Sequence, residues 1–182
     1  MDGRPQPRRL GHVVLNVRDL AASVRFYTEI VGLEVSDYIE DQMAFLRCGH
    51  DHHALALAQI DRDGAEGANT YRPGRPGLEH FSYEVGSLAD IEAAARHLQA
   101  HGVEIVRGIG KHGPGENLFL VFKDPDGNYV EFYADMVQVT AEHPYMARVW
   151  PNNLDAFDQW HFKRFLVKPP QWGPRPKDGE GA

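Results

Sequence analysis

An internal repeat is the feature of this sequence that most limits the folds open to it. Residues 12–17 (HVVLNV) align with residues 80–85 (HFSYEV), and residues 32–35 (GLEV) align with residues 102–105 (GVEI). In both copies a strand-like segment is followed by an amphipathic helical segment and then by three further strand-like segments. Each copy is therefore predicted to be a βαβββ module, and we expect the two modules to share one core.

Capping and stop signals support this plan. Asp19 is predicted to cap the first helix and Gly32 to end it, while Ser87 and Asp90 form a capping box for the second, which Gly102 ends. The buried stripes are predicted to consist of Leu20, Val24, Tyr27 and Val31 in the first helix and Leu88, Ile91, Ala95 and Leu98 in the second. The predicted strands are residues 10–17, 33–38, 42–47, 53–60, 78–85, 103–106, 117–123 and 128–134.

The predicted fold class is α+β. Modules 8–60 and 78–135 are expected to form one curved mixed sheet around a cup, with both helices outside, so that residues 8–135 make one domain. Residues 136–182 contain three tryptophans and many prolines but no third repeat, and are predicted to be a C-terminal extension. The long connection over residues 61–77, with Tyr71, Arg72 and Arg75, is a candidate cover for the cup.

Composition excludes several classes of protein. Hydrophobic residues make up 42% of the chain and the net charge is −7, which disfavours both a membrane span and a nucleic-acid partner. A single cysteine excludes an intrachain disulfide and a cysteine-based metal site. With no apolar leader at the N-terminus, we expect a soluble cytoplasmic protein.

Strand alternation predicts which side chains share the cup. In the first strand the aliphatic residues at odd positions suit the helix side, so His12 faces inward, and the repeat places His80 equivalently. In the last strand Val130 and Phe132 suit the core, so Glu131 faces inward. Two imidazoles and one carboxylate form the facial ligand set of non-haem Fe(II) or a similar divalent ion, with positions left open for substrate.

The hairpin alignment adds two expectations. Leu55 is predicted to be the repeat partner of Glu131. We call the position in the first module that is equivalent to Glu131 the fourth corner of the metal site. An apolar residue there supplies no ligand and leaves that side of the metal open to substrate. His53, two residues earlier, should share the inward face, whereas His52 should point away.

With these motifs, the sequence resembles members of the vicinal oxygen chelate superfamily, and within it the type I extradiol ring-cleaving dioxygenases. The opening segment, residues 11–17, is similar to the superfamily in general. Residues 45–57 are similar to the extradiol segment with paired histidines, and residues 110–131 to the extradiol segment that ends in the carboxylate ligand. The resemblance covers residues 8–135, a single catalytic pair of modules, whereas many members carry a second, non-catalytic pair.

The resemblance implies an activity. Fe(II), or alternatively Mn(II), would be held by His12, His80 and Glu131 and would bring a catechol-type substrate together with O₂. His53 would be the acid–base residue, and His112 would donate a hydrogen bond to a substrate oxygen. The implied product is of the hydroxymuconic semialdehyde type.

One position departs from the family pattern. Val121 stands where a tyrosine is expected in the substrate pocket, so one hydrogen-bond donor is either missing or supplied by Tyr129, Tyr133 or Tyr145. Tyr129 and Tyr133 share inward parity with Glu131. We therefore expect Val121, Tyr129 and Tyr133 to contact substrate.

Other readings stay open. The same fold serves glyoxalase-like isomerases, epoxide-opening thiol transferases and small-molecule-binding proteins. The apolar residue predicted at the fourth corner argues against a glyoxalase, and the three ligands argue against a simple binding protein. Because one module pair leaves sheet edges exposed, we expect a homodimer or a larger homo-oligomer.

Overall fold

The computed structural model describes residues 4–60 and 76–167 of the chain. Within these ranges the helices are α1 (Leu20–Arg25), continued by a π-helical turn over Phe26–Ile30, α2 (Leu88–Ala100) and the short α3 (Leu154–Phe157). The strands are β1 (Arg9–Val17), β2 (Glu34–Ile39), β3 (Met43–Arg47), β4 (Leu55–Gln59), β5 (Gly77–Glu84), β6 (Ile105–Lys111), β7 (Leu118–Lys123), β8 (Tyr129–Ala134) and β9 (Arg148–Trp150).

All of these strands belong to one mixed sheet with the order β6-β7-β8-β5-β1-β4-β3-β2-β9. Within each module the first strand pairs in parallel with the last, β1 with β4 and β5 with β8. The modules join where β1 and β5 run antiparallel. The predicted α+β fold, two βαβββ modules sharing one sheet, is confirmed.

The two long helices cover one face of the sheet, as the apolar stripes predict. Helix α1 packs against buried aliphatic residues of β3 and β4, and α2 packs against those of β5 to β8. The Asp19 carboxylate accepts a hydrogen bond from Ala22 N at 2.8 Å, so it caps α1 as predicted. Gly32 and Gly102, at φ +89° and +67°, take the left-handed conformation that ends a helix with little strain in glycine.

Several element boundaries differ from the predictions. The first helix ends at Ile30, and Val31, which was predicted to be buried, is 51% exposed. Strand β4 begins at Leu55 rather than at residue 53, and His52 and His53, just before it, are both buried. Strand β6 is longer than the predicted 103–106 and extends to Lys111.

The prediction that Leu55 is the repeat partner of Glu131 is wrong by one residue. Glu131 pairs with Ser82 across β5 and β8, and Ala56 pairs with Val14, the equivalent of Ser82, across β1 and β4. Ala56 therefore occupies the fourth corner. Leu55 packs instead in the aliphatic cluster beneath α1. The corner is apolar as expected, although a different residue makes it so.

The described part of the C-terminal extension, residues 136–167, packs onto both modules. Strand β9 extends the sheet in parallel with β2. The buried carboxylate of Asp37 in β2 accepts hydrogen bonds from Tyr145 Oη at 2.7 Å and Trp150 Nε1 at 2.8 Å. Further along, Asp158 Oδ1 accepts from Lys111 N at 2.9 Å. The extension is thus fastened at both ends of the sheet.

Two predictions concern segments outside the described residues. Residues 61–75, with Tyr71, Arg72 and Arg75, and the tail with Trp172 lie outside the described ranges. Among the helices that the structure describes, none combines the length and the apolar character that a membrane crossing requires.

Candidate metal centre and active-site cavity

Three side chains from three neighbouring strands meet inside the cup. His12 of β1, His80 of β5 and Glu131 of β8 each offer a ligand atom, and these atoms lie within 4.8 Å of one another. His12 Nε2 is 3.3 Å from Glu131 Oε1, and His80 Nε2 is 3.8 Å from Glu131 Oε2. The structure brings together the three residues that strand alternation predicts.

The surroundings of Glu131 fit a divalent cation. The side chain is fully buried, and neither carboxylate oxygen has a hydrogen-bond partner among the described residues. A buried carboxylate without hydrogen bonds is costly unless a cation compensates its charge. Since two imidazoles face the same point, the donor set matches that of a metal with two histidines and one carboxylate.

The pKa shifts of His12 and Glu131 favour the forms that bind metals, whereas the shift in the pKa of His80 favours its protonated form. Burial lowers the pKa of His12, which keeps the ring neutral. Burial acts to raise the pKa of Glu131, but the imidazoles around it outweigh this and hold its pKa well below the ordinary value. Burial also acts to lower the pKa of His80, but attraction by Glu79 and Glu131 outweighs it and raises that pKa. A neutral His12 and an ionised Glu131 are ready to bind a cation.

A second pair of histidines lies behind the first. The His53 ring centroid is 4.6 Å from that of His12, and the side chain is only 3% exposed. Burial, with repulsion from His12 and His52, lowers the pKa of His53 well below its ordinary value, so the ring is neutral at neutral pH. His52 points away from the cavity, as predicted, yet it is fully buried, with Nδ1 3.1 Å from His53 Nδ1.

His112 reaches the site from the end of β6. Its Nδ1 donates a hydrogen bond to the carbonyl oxygen of Phe157 at 2.8 Å, and its Nε2 lies 3.9 Å from Glu131 Oε2. The ring also stacks on Phe119, with centroids 4.0 Å apart. The C-terminal extension therefore sets the orientation of a histidine that belongs to the second module.

These groups line one cavity inside the cup. One wall is polar and carries the histidines. A second part of the wall is apolar and includes Val14, Ile39, Met43, Phe45 and Ala58. Such a lining suits a small molecule with one polar edge and one hydrophobic body.

The three residues predicted to contact substrate lie beside the metal site rather than among the residues that line the cavity. Val121 is fully buried and pairs with Glu131 across β7 and β8. The Tyr133 ring lies 5.0 Å from that of His12 and packs over Gly11, where a Cβ atom would meet the phenol oxygen. Tyr129 pairs with His80. Their contact with substrate stays a prediction.

The lining residues that were not identified from the sequence include Glu79, Arg107, Ala156 and Phe157. Glu79 was missed because alternation assigns the neighbour of His80 to the opposite face. Ala156 and Phe157 were missed because the extension has no repeat partner from which a position could be inferred. Arg107 lies near the start of β6, the strand that His112 directly follows.

Comparisons with known proteins agree with this geometry. A family model described as the Glyoxalase/Bleomycin resistance protein/Dioxygenase superfamily matches residues 9–132. Metapyrocatechase 2 of Cupriavidus necator is 29% identical over 174 residues, which cover 94% of this chain and 46% of that protein. Biphenyl-2,3-diol 1,2-dioxygenase of Paraburkholderia xenovorans (strain LB400) is 30% identical over 131 residues, which cover 68% of this chain and 40% of that protein.

A solved structure extends the comparison to three dimensions. The Mn(II)-bound glyoxalase from Novosphingobium aromaticivorans superposes with a TM-score of 0.73 at 30% identity, over 85% of this chain and 46% of the other. The chain thus spans less than half the length of each of these three proteins.

Proposed function

The chain belongs to the Glyoxalase/Bleomycin resistance protein/Dioxygenase superfamily, and on that premise we propose that it is an extradiol dioxygenase. Its substrates would be a catechol-type diol and O₂, and its product a hydroxymuconic semialdehyde type of compound. One observation carries the proposal: His12, His80 and Glu131 meet in the wall of a cavity that also holds His53 and His112. The dioxygenase relatives, which match over less than half of their own length, support it.

We propose Fe(II) as the metal, with Mn(II) as the alternative, held by His12, His80 and Glu131. When bound, the ion would supply a Lewis-acidic, redox-active centre at which a diol and O₂ can react. The alanine at the fourth corner, Ala56, adds no ligand and leaves that side to the substrate.

His53 is the proposed base. Its ring is neutral, and its Nδ1 faces His52, so Nε2 is the atom left to take a proton from a substrate hydroxyl. The same atom can return that proton later in the reaction. Because His53 is buried, bulk water does not compete for this position.

His112 is the proposed second hydrogen-bonding group. Since its Nδ1–H is committed to the Phe157 carbonyl, a neutral ring presents an unprotonated Nε2 to the cavity. It therefore accepts a hydrogen bond from a substrate hydroxyl, and it donates one from Nε2 once protonated. The apolar wall would hold the hydrophobic part of the substrate and keep water out.

The decisive experiment is anaerobic reconstitution with Fe(II), followed by air and a panel of catechols that includes 2,3-dihydroxybiphenyl. We expect O₂ uptake equimolar with a yellow ring-opened product. Parallel loading with Mn(II) identifies the metal that gives the higher turnover. A fully metal-loaded protein that consumes no O₂ with any member of the panel would refute the proposal.

A second candidate function is a Mn(II)-dependent glyoxalase-like isomerase, which the superposition with the Novosphingobium aromaticivorans structure favours. Alanine at the fourth corner argues against this function, because the glyoxalase pattern has a metal ligand at that position. The same Mn(II)-loaded protein, assayed with a hemithioacetal substrate without O₂, separates the two functions.

Three further expectations remain proposals. Residues 8–135 would form the catalytic domain and residues 136–182 a C-terminal extension, whose Phe157 lines the cavity. The chain would form a homodimer or larger assembly, which light scattering tests. A cytoplasmic location is proposed from the single cysteine.

A further inference from the structure

Glu79 is a buried carboxylate in the cavity wall that the proposed function does not use. It lies in β5 directly before His80, and it is only 4% exposed. Its Oε2 contacts His80 Nδ1, while its Oε1 has no hydrogen-bond partner among the described residues. Burying an ionisable group in this way costs free energy unless a partner compensates its charge.

A β-bulge explains why Glu79 faces inward. In the pairing of β1 with β5, Val14 is opposite His80 and Leu15 is opposite Leu78, so Glu79 has no partner of its own. A regular strand would send Glu79 and His80 to opposite faces. The bulge lets both line the cavity, and bulges next to active sites commonly redirect a side chain in this way.

The contact determines how His80 can act. A neutral imidazole carries its proton on one nitrogen, and the carboxylate of Glu79 accepts only from a protonated one. In the neutral ring, Nδ1 of His80 therefore donates to Glu79, and the unprotonated atom is Nε2, which lies 3.8 Å from Glu131 Oε2 and faces the proposed metal position. By contrast, Nδ1 of the other ligand, His12, has no hydrogen-bond partner in the described part of the chain.

We propose that Glu79 is a positioning residue that fixes the tautomer and ring orientation of His80, so that Nε2 is its metal-binding atom. Such partners of ligating histidines also increase the basicity of the ligand. The inference rests on the proposed function, because it requires a metal at His12, His80 and Glu131. It concerns metal affinity and ligand geometry rather than contact with the substrate.

The test measures metal affinity in the full chain with Mn(II) and Co(II), by competition with a chromophoric chelator. Glu79→Ala is expected to weaken binding about 10- to 100-fold, the usual effect of losing such a partner. Glu79→Gln keeps an acceptor oxygen and should lose less. The Co(II) absorption spectrum should shift in Glu79→Ala and return towards wild type in Glu79→Gln.

Glu84→Gln is the matched control. Glu84 lies in the same strand, but its carboxylate pairs with Arg9 Nε at 2.5 Å at the edge of the molecule, so metal affinity should stay at the wild-type value. The thermal unfolding of the metal-free variants separates a loss of fold from a loss of affinity. If Glu79→Ala does not fold, the near-isosteric Glu79→Gln carries the test.

The outcomes discriminate clearly. If both Glu79 variants have the metal affinity and the Co(II) spectrum of the wild type, the inference is overturned but the proposed function is unaffected. A change confined to the KM for catechol, with unchanged metal affinity, also overturns it, because the carboxylate would then act on the substrate. A wild-type protein that binds no divalent metal refutes the proposed function itself.

Discussion

His52 and His53 are neighbours in the chain, and both are buried with their Nδ1 atoms 3.1 Å apart. On its far side, His52 Nε2 faces Asp37 Oδ2 at 3.2 Å. With a proton on Nε2 directed at Asp37, a neutral His52 accepts at Nδ1, so His53 donates from Nδ1 and keeps Nε2 unprotonated. The chain of contacts thus favours the tautomer of His53 that can act as a base towards the cavity.

Asp37 also holds the C-terminal extension, so its loss should destabilise the fold. In Asp37→Ala the hydrogen bonds from Tyr145 Oη, Trp150 Nε1 and the Arg148 amide are lost, and we expect the free energy of unfolding to fall by about 3 kcal/mol. Urea denaturation measures the change. Asp41→Ala, an exposed acid after β2, is the control and should be neutral; equal stability of the two variants would contradict the role of Asp37.

The same carboxylate predicts a loss of stability in acid. Burial acts to raise the pKa of Asp37, but hydrogen bonding with His52, Tyr145 and Arg148 outweighs it, and the folded-state pKa lies below the ordinary value. Its contribution is therefore complete above the unfolded-state pKa of about 3.9 and is lost as the pH falls through the lower folded-state value.

Asp37→Asn should reduce this loss of stability at low pH. Thermal melts at a series of pH values below about pH 5 should show a smaller decrease in Tm for the variant than for the wild type. Some pH dependence should remain, because the pKa of Glu131 is also depressed. Parallel curves for the two proteins would show that Asp37 does not contribute to the acid transition.

His12→Ala should abolish stoichiometric metal binding, because it removes one of the three proposed ligands and leaves only His80 and Glu131. Metal analysis after gel filtration measures the retained ion. His143→Ala, an exposed histidine of the extension, is the control and should retain as much metal as the wild type. A His12 variant that still holds one ion per chain would exclude His12 as a ligand.

His53→Phe should keep the metal but slow turnover by about 10²- to 10⁴-fold, the usual contribution of a general acid–base group. The aromatic ring fills the same buried space, so the fold should persist. Steady-state O₂ uptake and metal content are measured on the same sample. His50→Ala changes an exposed neighbour and should leave kcat unaltered; an unaltered kcat in His53→Phe would remove the acid–base assignment.

The repeat in the sequence was sufficient to predict the sheet and the inward direction of His12, His80 and Glu131. Alternation is a local property of an extended strand, so it holds wherever the strand is regular. It failed for Leu55 because the alignment of the two hairpins is displaced by one residue, and a single-residue slip exchanges the two faces of a strand. Ala56 took the corner that Leu55 was expected to occupy.

What the sequence determined by itself was therefore the architecture and the convergence of three candidate ligand residues, since periodicity and the repeat are encoded in local residue order. Only the tertiary structure decided that Glu79 lies beside His80, that His52 lies between His53 and Asp37, and that Phe157 of the extension lines the cavity. Those relationships depend on a bulge and on pairing between segments distant in the chain. Long-range register of this kind is set by packing of the whole sheet, which no local pattern records.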